Sequence, residues 1–227
     1  MNNKIGIGII NTTGNDPTPL CEKIPLVESV RIESIDKSST WTKNSLLYKL
    51  INDDCAHMFL IKDTITIKDS SVFDKYIETA SKSGIWYLNY SNTYKVRNSI
   101  DYDGCGVSFA DTINNQFCYY YKGILKNVGF FDERYAYGLL DQIDYTYRVT
   151  QKKLCPPWGW FADIENSNNY ISAPSPGLID NNQQMYWREN QWFKHRNEQF
   201  YHLLPDTKED EAMKVLEELK EKYAKDI

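Results

Sequence analysis

The chain has 227 residues, a formal net charge of -5 and a charged fraction of 25%, values typical of one folded domain with at most a small appendage. The hydrophobic fraction of 41% argues against a disordered or low-complexity chain. The negative charge argues against duplex nucleic acid as a partner, because phosphate backbones attract cationic proteins. The five cysteines are odd in number and form no Cys-x-x-Cys pair, so we expect small buried hydrophobic residues rather than disulfides or a zinc site.

Membrane and export signals are also not expected. No segment approaches the roughly 20 apolar residues that span a bilayer. The first apolar run, residues 5–10, is too short for the core of a signal peptide and is not followed by a small-residue cleavage site. We therefore expect a cytoplasmic protein without a transmembrane segment.

Strand-like and helix-like segments alternate through the first 90 residues. The apolar patterns predict strands at residues 5–10, 26–35, 58–61 and 85–90, and helices around residues 46–51 and 72–83. This alternation predicts an α/β fold in which helices cover a mostly parallel sheet.

The second half of the chain is less regular. Strands are predicted at 106–110 and 117–121, helices at 122–128 and 141–151, and an amphipathic helix beginning near Thr207. We divide the chain into a main domain, residues 1–180, and a C-terminal helical extension, residues 181–227, that packs on the same domain. Residues 186–196 mix aromatic and basic side chains; an amphipathic helix is preferred there over an acceptor cover or a surface for single-stranded nucleic acid.

Polar side chains follow the first three predicted strands, where open parallel sheets bind their ligands. Thr12 follows the first strand, Asp36 the second, and Lys62 with Asp63 the third. A carboxylate at the end of a buried strand is costly unless it meets a cation, a metal or a hydrogen-bond donor. Asp63 therefore indicates either a ligand site or a turn in which the carboxylate bonds its own backbone.

A second group of candidate residues lies near the predicted helix 141–151. Residues 129–135 read Gly-Phe-Phe-Asp-Glu-Arg-Tyr, and residues 141–148 read Asp-Gln-Ile-Asp-Tyr-Thr-Tyr-Arg. Asp141 and Asp144 share one helix face, and either carboxylate projected into a cleft can act as a general base. The alternative is a helix cap together with a surface ion pair between Asp144 and Arg148.

These segments resemble, in order, motifs of the inverting family-two glycosyltransferases. Residues 129–135 resemble their Gly-Gly-Phe-Asp-Glu-x-Phe run, and residues 141–148 their Glu-Asp-x-Asp-x-x-x-Arg run. Residues 59–65 resemble the metal-binding Asp-x-Asp motif, and residues 35–39 an Asp-Asn-x-Ser element. The resemblance covers roughly residues 4 to 170. It implies the GT-A fold, a Rossmann-like three-layer sandwich, and transfer of a sugar from a nucleotide sugar, most simply a UDP-sugar, to a hydroxyl acceptor with inversion.

The resemblance also implies roles for individual residues. Asp63 would hold Mn or Mg against the diphosphate, with Lys62 adding positive charge. Asp36 would contact the uracil or ribose, and Thr12 would lie near the base. Asp141 or its neighbour Asp144 would deprotonate the acceptor. Asp163 either replaces a late histidine ligand of the metal, since carboxylates suit hard cations, or belongs to a solvated turn.

Two departures from the family pattern favour a rival hypothesis. Ile61 occupies the position of the first metal-binding aspartate, and Gln142 the position that often supplies the base. A non-catalytic protein that binds a nucleotide sugar or a glycan is therefore the alternative. A sugar-nucleotide nucleotidyltransferase ranks third, because residues 11–19 contain one glycine and no basic residue.

Aromatic residues are abundant, with 17 Tyr, 9 Phe and 6 Trp, and we expect most of them in the core. Trp158 and Trp160 flank Gly159 shortly after the predicted catalytic helix. Because exposed rings stack on sugar faces and glycine permits close approach, these two tryptophans are the predicted platform for the sugar or acceptor.

Overall fold

The computed structural model describes residues 4–22, 24, 29–35, 38–91, 96–110, 115–135, 140–155 and 161–174. The strands in these ranges are β1 Ile5–Asn11, β2 Ser29–Ser34, β3 His57–Lys62, β4 Thr66–Ile67, β5 Tyr87–Asn89, β6 Val96–Tyr102, β7 Cys105–Ala110, β8 Phe117–Tyr121, β9 Phe161–Ile164 and β10 Ile171–Ser172. The helices are α1 Thr18–Cys21, α2 Ser39–Asn52, α3 Val72–Ser83, α4 Lys122–Val128 and α5 Asp141–Gln151. The predicted C-terminal extension and the segment 186–196 lie outside the described residues.

The central sheet has the strand order β2-β1-β3-β8-β5. β1 pairs in parallel with β2 and β3, whereas β8 is antiparallel to both β3 and β5. Four strands therefore run in one direction and β8 opposes them. The predicted α/β class and mostly parallel sheet are confirmed, and the arrangement is consistent with a Rossmann-like fold.

A second, three-stranded sheet has the order β6-β7-β9, and the sequence analysis missed β6 and β9. β6 and β7 form a hairpin whose two turn residues, Asp103 and Gly104, have positive φ angles of 52° and 80°. An Asp-Gly pair between two strand-like segments is a strong hairpin signal. β9 was hidden because it is only four residues long and follows two prolines.

Helix α2 packs tightly on the sheet because β1 carries glycine where the helix crosses it. A Cβ atom built at Gly8 would lie 2.8 Å from Leu60 Cδ2 and 3.1 Å from Leu46 Cβ. Leu46, Leu47 and Leu50 of α2 are fully buried. The helix predicted around 46–51 begins earlier, at Ser39, and the hydroxyl of Ser38 caps it by accepting from Trp41 N at 3.0 Å.

The aromatic residues that the structure describes lie largely inside the protein, as predicted. Phe59 of β3 contacts Phe73 and Phe117 with ring centroids 4.9 Å and 5.5 Å apart, within the range for favourable aromatic pairs. All five cysteines are free and four of them are buried, which confirms their predicted role as small hydrophobic residues for those four. In the part of the chain that the structure describes, no helix has the length and apolar character needed to cross a bilayer.

Candidate functional site at the carboxyl edge of the sheet

The carboxylate of Asp63 is bound by the loop that follows β1. Its Oδ1 accepts from Thr12 N at 3.0 Å and Thr12 Oγ1 at 2.5 Å, and its Oδ2 accepts from Thr13 N at 2.9 Å and Thr13 Oγ1 at 2.6 Å. The structure thus joins Thr12 and Asp63, two of the predicted donor-binding residues. Asp63 bonds the neighbouring loop rather than its own turn.

These hydrogen bonds outweigh the effect of burial on the Asp63 carboxyl. Burial raises its pKa, but donation from the hydroxyls and backbone amides of Thr12 and Thr13 lowers it further, so the net pKa is below the usual value. The group is therefore a stable carboxylate at neutral pH. Its role in the structure is to tie the ends of β1 and β3 together.

The described residues around Asp63 do not fit a divalent cation. The four hydrogen bonds occupy the roughly four lone-pair directions of a carboxylate, and Ile61, in place of the first aspartate of the family motif, is fully buried in the core. No group of three acidic, histidine or cysteine side chains among the described residues is arranged to hold a metal ion.

Asp163, the second predicted metal ligand, lies in β9 inside a separate hydrogen-bond network. Its carboxylate accepts from Tyr76 Oη at 2.5 Å, Ser91 N at 2.9 Å and Ser167 Oγ at 2.7 Å. Burial raises the pKa of Asp163 to about 6, although these hydrogen bonds oppose the rise. The arrangement links α3, the end of β5 and the segment after β9.

The shifted pKa values of His57 and Asp163 predict opposing effects of pH on the free energy of unfolding. Burial lowers the pKa of His57 to about 4, so its contribution to stability is present above pH 6.5 and is lost as the pH falls toward 4. The pKa of Asp163 is raised to about 6, so its contribution is present below about pH 3.8 and is lost as the pH rises through 6.

We therefore expect His57→Gln to change the pH profile of the free energy of unfolding, measured in urea between pH 7.5 and 4.5. The variant should gain stability relative to wild type as the pH falls, by about 1–2 kcal/mol after allowance for partial solvent screening. Parallel profiles for the two proteins would contradict the assignment.

Asp141 forms a buried ion pair with a residue that the sequence analysis did not select. Asp141 Oδ2 lies 2.7 Å from Lys43 Nζ, and the side chains are 0% and 3% exposed. Thr40 Oγ1 lies 3.0 Å from the same oxygen. The ion pair joins the N-terminal turns of α2 and α5 beside the carboxyl ends of the parallel strands.

The position of Lys43 along α2 contained a usable signal. Thr40, Lys43, Leu47 and Leu50 recur at intervals of three and four residues and all are buried. A lysine within the apolar face of a helix is rarely buried unless it has a partner. Its spacing therefore indicated a buried counterion, although not which carboxylate would supply it.

Lys62 lies close to this pair at the end of β3. Its ammonium donates to Asn115 Oδ1 at 3.1 Å, and in the described part of the chain no carboxylate lies within ion-pair distance of it. Burial, followed by the charge of Lys43, lowers the pKa of Lys62, while the charge of Asp141 partly offsets these effects.

The remaining acidic candidate, Asp144, faces the interior of the protein. Its carboxylate accepts from Arg148 Nε at 2.9 Å and Tyr135 Oη at 3.2 Å, and the Asp144 side chain is 0% exposed. The ion pair with Arg148 anticipated as an alternative is thus present, but it is buried rather than on the surface. This geometry favours a structural role for Asp144.

Gln142, which occupies the family's base position, is buried among tyrosines. Its Nε2 lies 2.7 Å from Tyr87 Oη, 2.8 Å from Asn89 Oδ1 and 3.0 Å from Tyr120 Oη. An amide cannot accept a proton from an acceptor hydroxyl in this setting. Any base must therefore come from another residue, and Asp141 is adjacent.

A cleft of about 400 Å³ opens beside Asp63, within the size range of small-molecule sites. It is lined by Thr13, Asn15, Asp16, Pro17, Leu20, Asp63 and residues 64–67. Apart from Asp63, the sequence analysis did not select this wall, since it joins two segments, 13–20 and 63–67, that are distant in the chain. Asp36, Trp158 and Trp160 lie outside the described residues, so their predicted roles stay predictions.

Comparisons with known proteins support the fold. No family model matches the chain, and no curated protein matches it by sequence. The structure has a mixed α/β fold with a mostly parallel five-stranded sheet. It is similar to residues 1–349 of TarS from S. aureus, with a TM-score of 0.50 and 10% identity over 97% of this chain and 71% of that one. A197 from STIV is similar over 54% of this chain and 68% of that one, with 13% identity and a TM-score of 0.40.

Proposed function

We propose that this protein is a glycosyltransferase that moves a sugar from a nucleotide sugar, most simply a UDP-sugar, to a hydroxyl acceptor with inversion. The observation that carries the proposal is the convergence of Asp141, Lys43 and Lys62 at the carboxyl edge of the sheet. Ligands of open α/β sheets bind at this edge. The similarity of the fold to TarS, a glycosyltransferase, supports the same class of reaction.

In this proposal the cleft beside Asp63 takes the nucleotide. Thr13 and Asp63 form a polar part of its wall, and Leu20, Ile65 and Ile67 form an apolar part. Such a mixture suits a base and ribose, which need both stacking area and hydrogen bonds. Asp63 acts here as a positioning residue, because its carboxylate holds the Thr12–Thr13 loop that borders the cleft.

Asp141 is the proposed general base. Among the described side chains its Oδ2 meets Lys43 and Thr40, while its Oδ1 accepts from the backbone N of Gln142 at 2.8 Å. Oδ1 is therefore the oxygen that can take the proton of an acceptor hydroxyl. Lys43 holds the carboxylate in place through the 2.7 Å ion pair, and inversion follows from a single in-line displacement.

Two observations favour the second candidate, a non-catalytic protein that binds nucleotide sugars or glycans. Asp141 has 0% exposed surface, and the neighbouring position holds Gln142 rather than a carboxylate. If no movement opens Asp141 to the acceptor, binding without transfer is the expected behaviour.

A panel of nucleotide sugars distinguishes the two candidates. We expect slow release of the nucleotide from one donor by wild-type protein and at least about a 100-fold loss in Asp141→Asn, the size of effect typical of general-base removal. Asp74→Asn, which changes an exposed aspartate on α3, is the matched control and should behave as wild type. Measurable binding with no release from any donor would favour the non-catalytic protein.

A further inference from the structure

We infer that this protein compensates the charge of its donor's diphosphate with the ammonium of Lys62, and needs no divalent cation to do so. The inference rests on the proposed function and concerns the donor-binding edge of the same site. It is carried by the hydrogen bonding of Asp63, the burial of Ile61 and the surroundings of Lys62.

The carboxylate beside the donor cleft is fully engaged by the protein itself. Each oxygen of Asp63 accepts one backbone amide and one hydroxyl from Thr12 or Thr13, at 2.5 to 3.0 Å. A metal ion bound here would have to break several of these bonds and would detach the loop after β1 from β3. Ile61 supplies no ligand, since its side chain is apolar and 0% exposed.

Lys62 provides a cation at the same strand end. Its ammonium has three donor hydrogens, and the hydrogen bond to Asn115 at 3.1 Å uses one of them. Lys43, the neighbouring cation, is already paired with Asp141 at 2.7 Å. Of these two described lysines, Lys62 is therefore the one whose ammonium still has donor hydrogens for an anionic ligand.

A carboxylate at Asp141 and an ammonium at Lys62 suit the way charge moves during transfer of the sugar. The acceptor O–H bond breaks and its proton passes to Asp141, while the acceptor oxygen bonds to the anomeric carbon of the sugar. The bond from that carbon to the diphosphate oxygen breaks, and its electron pair leaves with the nucleoside diphosphate. Lys62 donates to the leaving diphosphate as its negative charge grows, which is the contribution that a metal ion makes in metal-dependent transfer.

Calorimetric titration with UDP, in EDTA and then in Mn, tests the inference. We expect dissociation constants that agree within about twofold in the two conditions. Lys62→Met should weaken binding by about 10- to 100-fold in both, the range for loss of a hydrogen bond to a charged group. Lys62→Arg should retain most of the affinity, and Lys75→Met, at an exposed lysine on α3, should leave it unchanged.

Thermal unfolding shows whether a loss of binding in Lys62→Met reflects misfolding. We expect the melting temperature of that variant to equal or exceed the wild-type value, because the substitution removes a partly buried charge that has no counterion among the described residues. Binding that appears only with Mn, or that Lys62→Met leaves intact, would overturn the inference while sustaining the proposed function. No binding of UDP or any other nucleoside diphosphate in either condition would overturn both.

Discussion

Asp141→Asn is expected to lower the free energy of unfolding by about 3–5 kcal/mol, the usual cost of leaving one member of a buried ion pair without its partner. Lys43 Nζ lies 2.7 Å from Asp141 Oδ2, and neither side chain reaches solvent appreciably. After the substitution the Lys43 ammonium stays buried and 5.2 Å from the centroid of the Phe131 ring. A cation–π contact of that kind replaces only part of the lost attraction. Urea unfolding measures the loss.

A double-mutant cycle with Lys43→Met separates the ion pair from other effects of the substitution. We expect the double variant to be at least about 2 kcal/mol more stable than the sum of the single losses predicts, because it buries no unpaired charge. The surface pair of Lys75 and Glu78 is the control, and its coupling should stay below about 1 kcal/mol. Additive losses at Lys43 and Asp141 would contradict a coupled pair.

The same double variant tests the chemistry, since it restores folding without restoring a base. If Asp141 is the general base, Lys43→Met/Asp141→Asn should be folded and should bind the donor, but should not release nucleotide. Recovery of the release rate along with stability would show that Asp141 acts only in the fold.

Asp163→Ala is expected to destabilise the protein by about 3–5 kcal/mol, because it leaves several buried donors without an acceptor. The hydroxyl of Tyr76, the backbone amide of Ser91 and the hydroxyl of Ser167 all donate to this carboxylate. Tyr76 is fully buried, so water does not readily replace the lost bond. Denaturant unfolding of the variant measures this loss.

The effect of Mn on the melting temperature distinguishes this structural role of Asp163 from the metal-ligand role that the family resemblance implies. With a structural role, Mn should shift the melting temperature of wild type and of Asp163→Asn equally, or not at all. Asp163→Asn keeps the shape of the side chain and is the milder companion to the alanine variant. A stabilisation by Mn that is present in wild type and absent in both variants would show that Asp163 binds the metal.

Much of the fold followed from local pattern. The buried runs that became β1 and β3 and the helix α3, which ends at Gly84 with a φ of 72°, were recognisable because periodicity and turn residues act over a few neighbouring positions. α5 began at Asp141 as predicted. The direction of β8 was not recognisable, since strand orientation depends on the path of the chain between elements rather than on the strand's own residues.

The candidate site was only partly predictable. Asp63 and Thr12 were selected separately, and the structure joined them through hydrogen bonds across 51 positions of sequence. Lys43 was missed because its partner, Asp141, lies in another helix. The cleft beside Asp63 was missed because its walls come from two distant segments. Gln142 and Ile61 were recognised as departures from a motif, and the structure buries both, Gln142 among tyrosines and Ile61 in the apolar core.

The sequence alone established an α/β fold with a mostly parallel sheet and the residue types available where its strands end, because those properties depend on short-range periodicity and chain reversal. Only the tertiary structure decided which charges meet. Asp141 pairs with Lys43 across 98 positions, Asp63 binds the loop after β1, and Lys62 has no carboxylate partner among the described residues. Electrostatic and hydrogen-bond energies depend on distances of a few ångströms and on burial, and folding sets both.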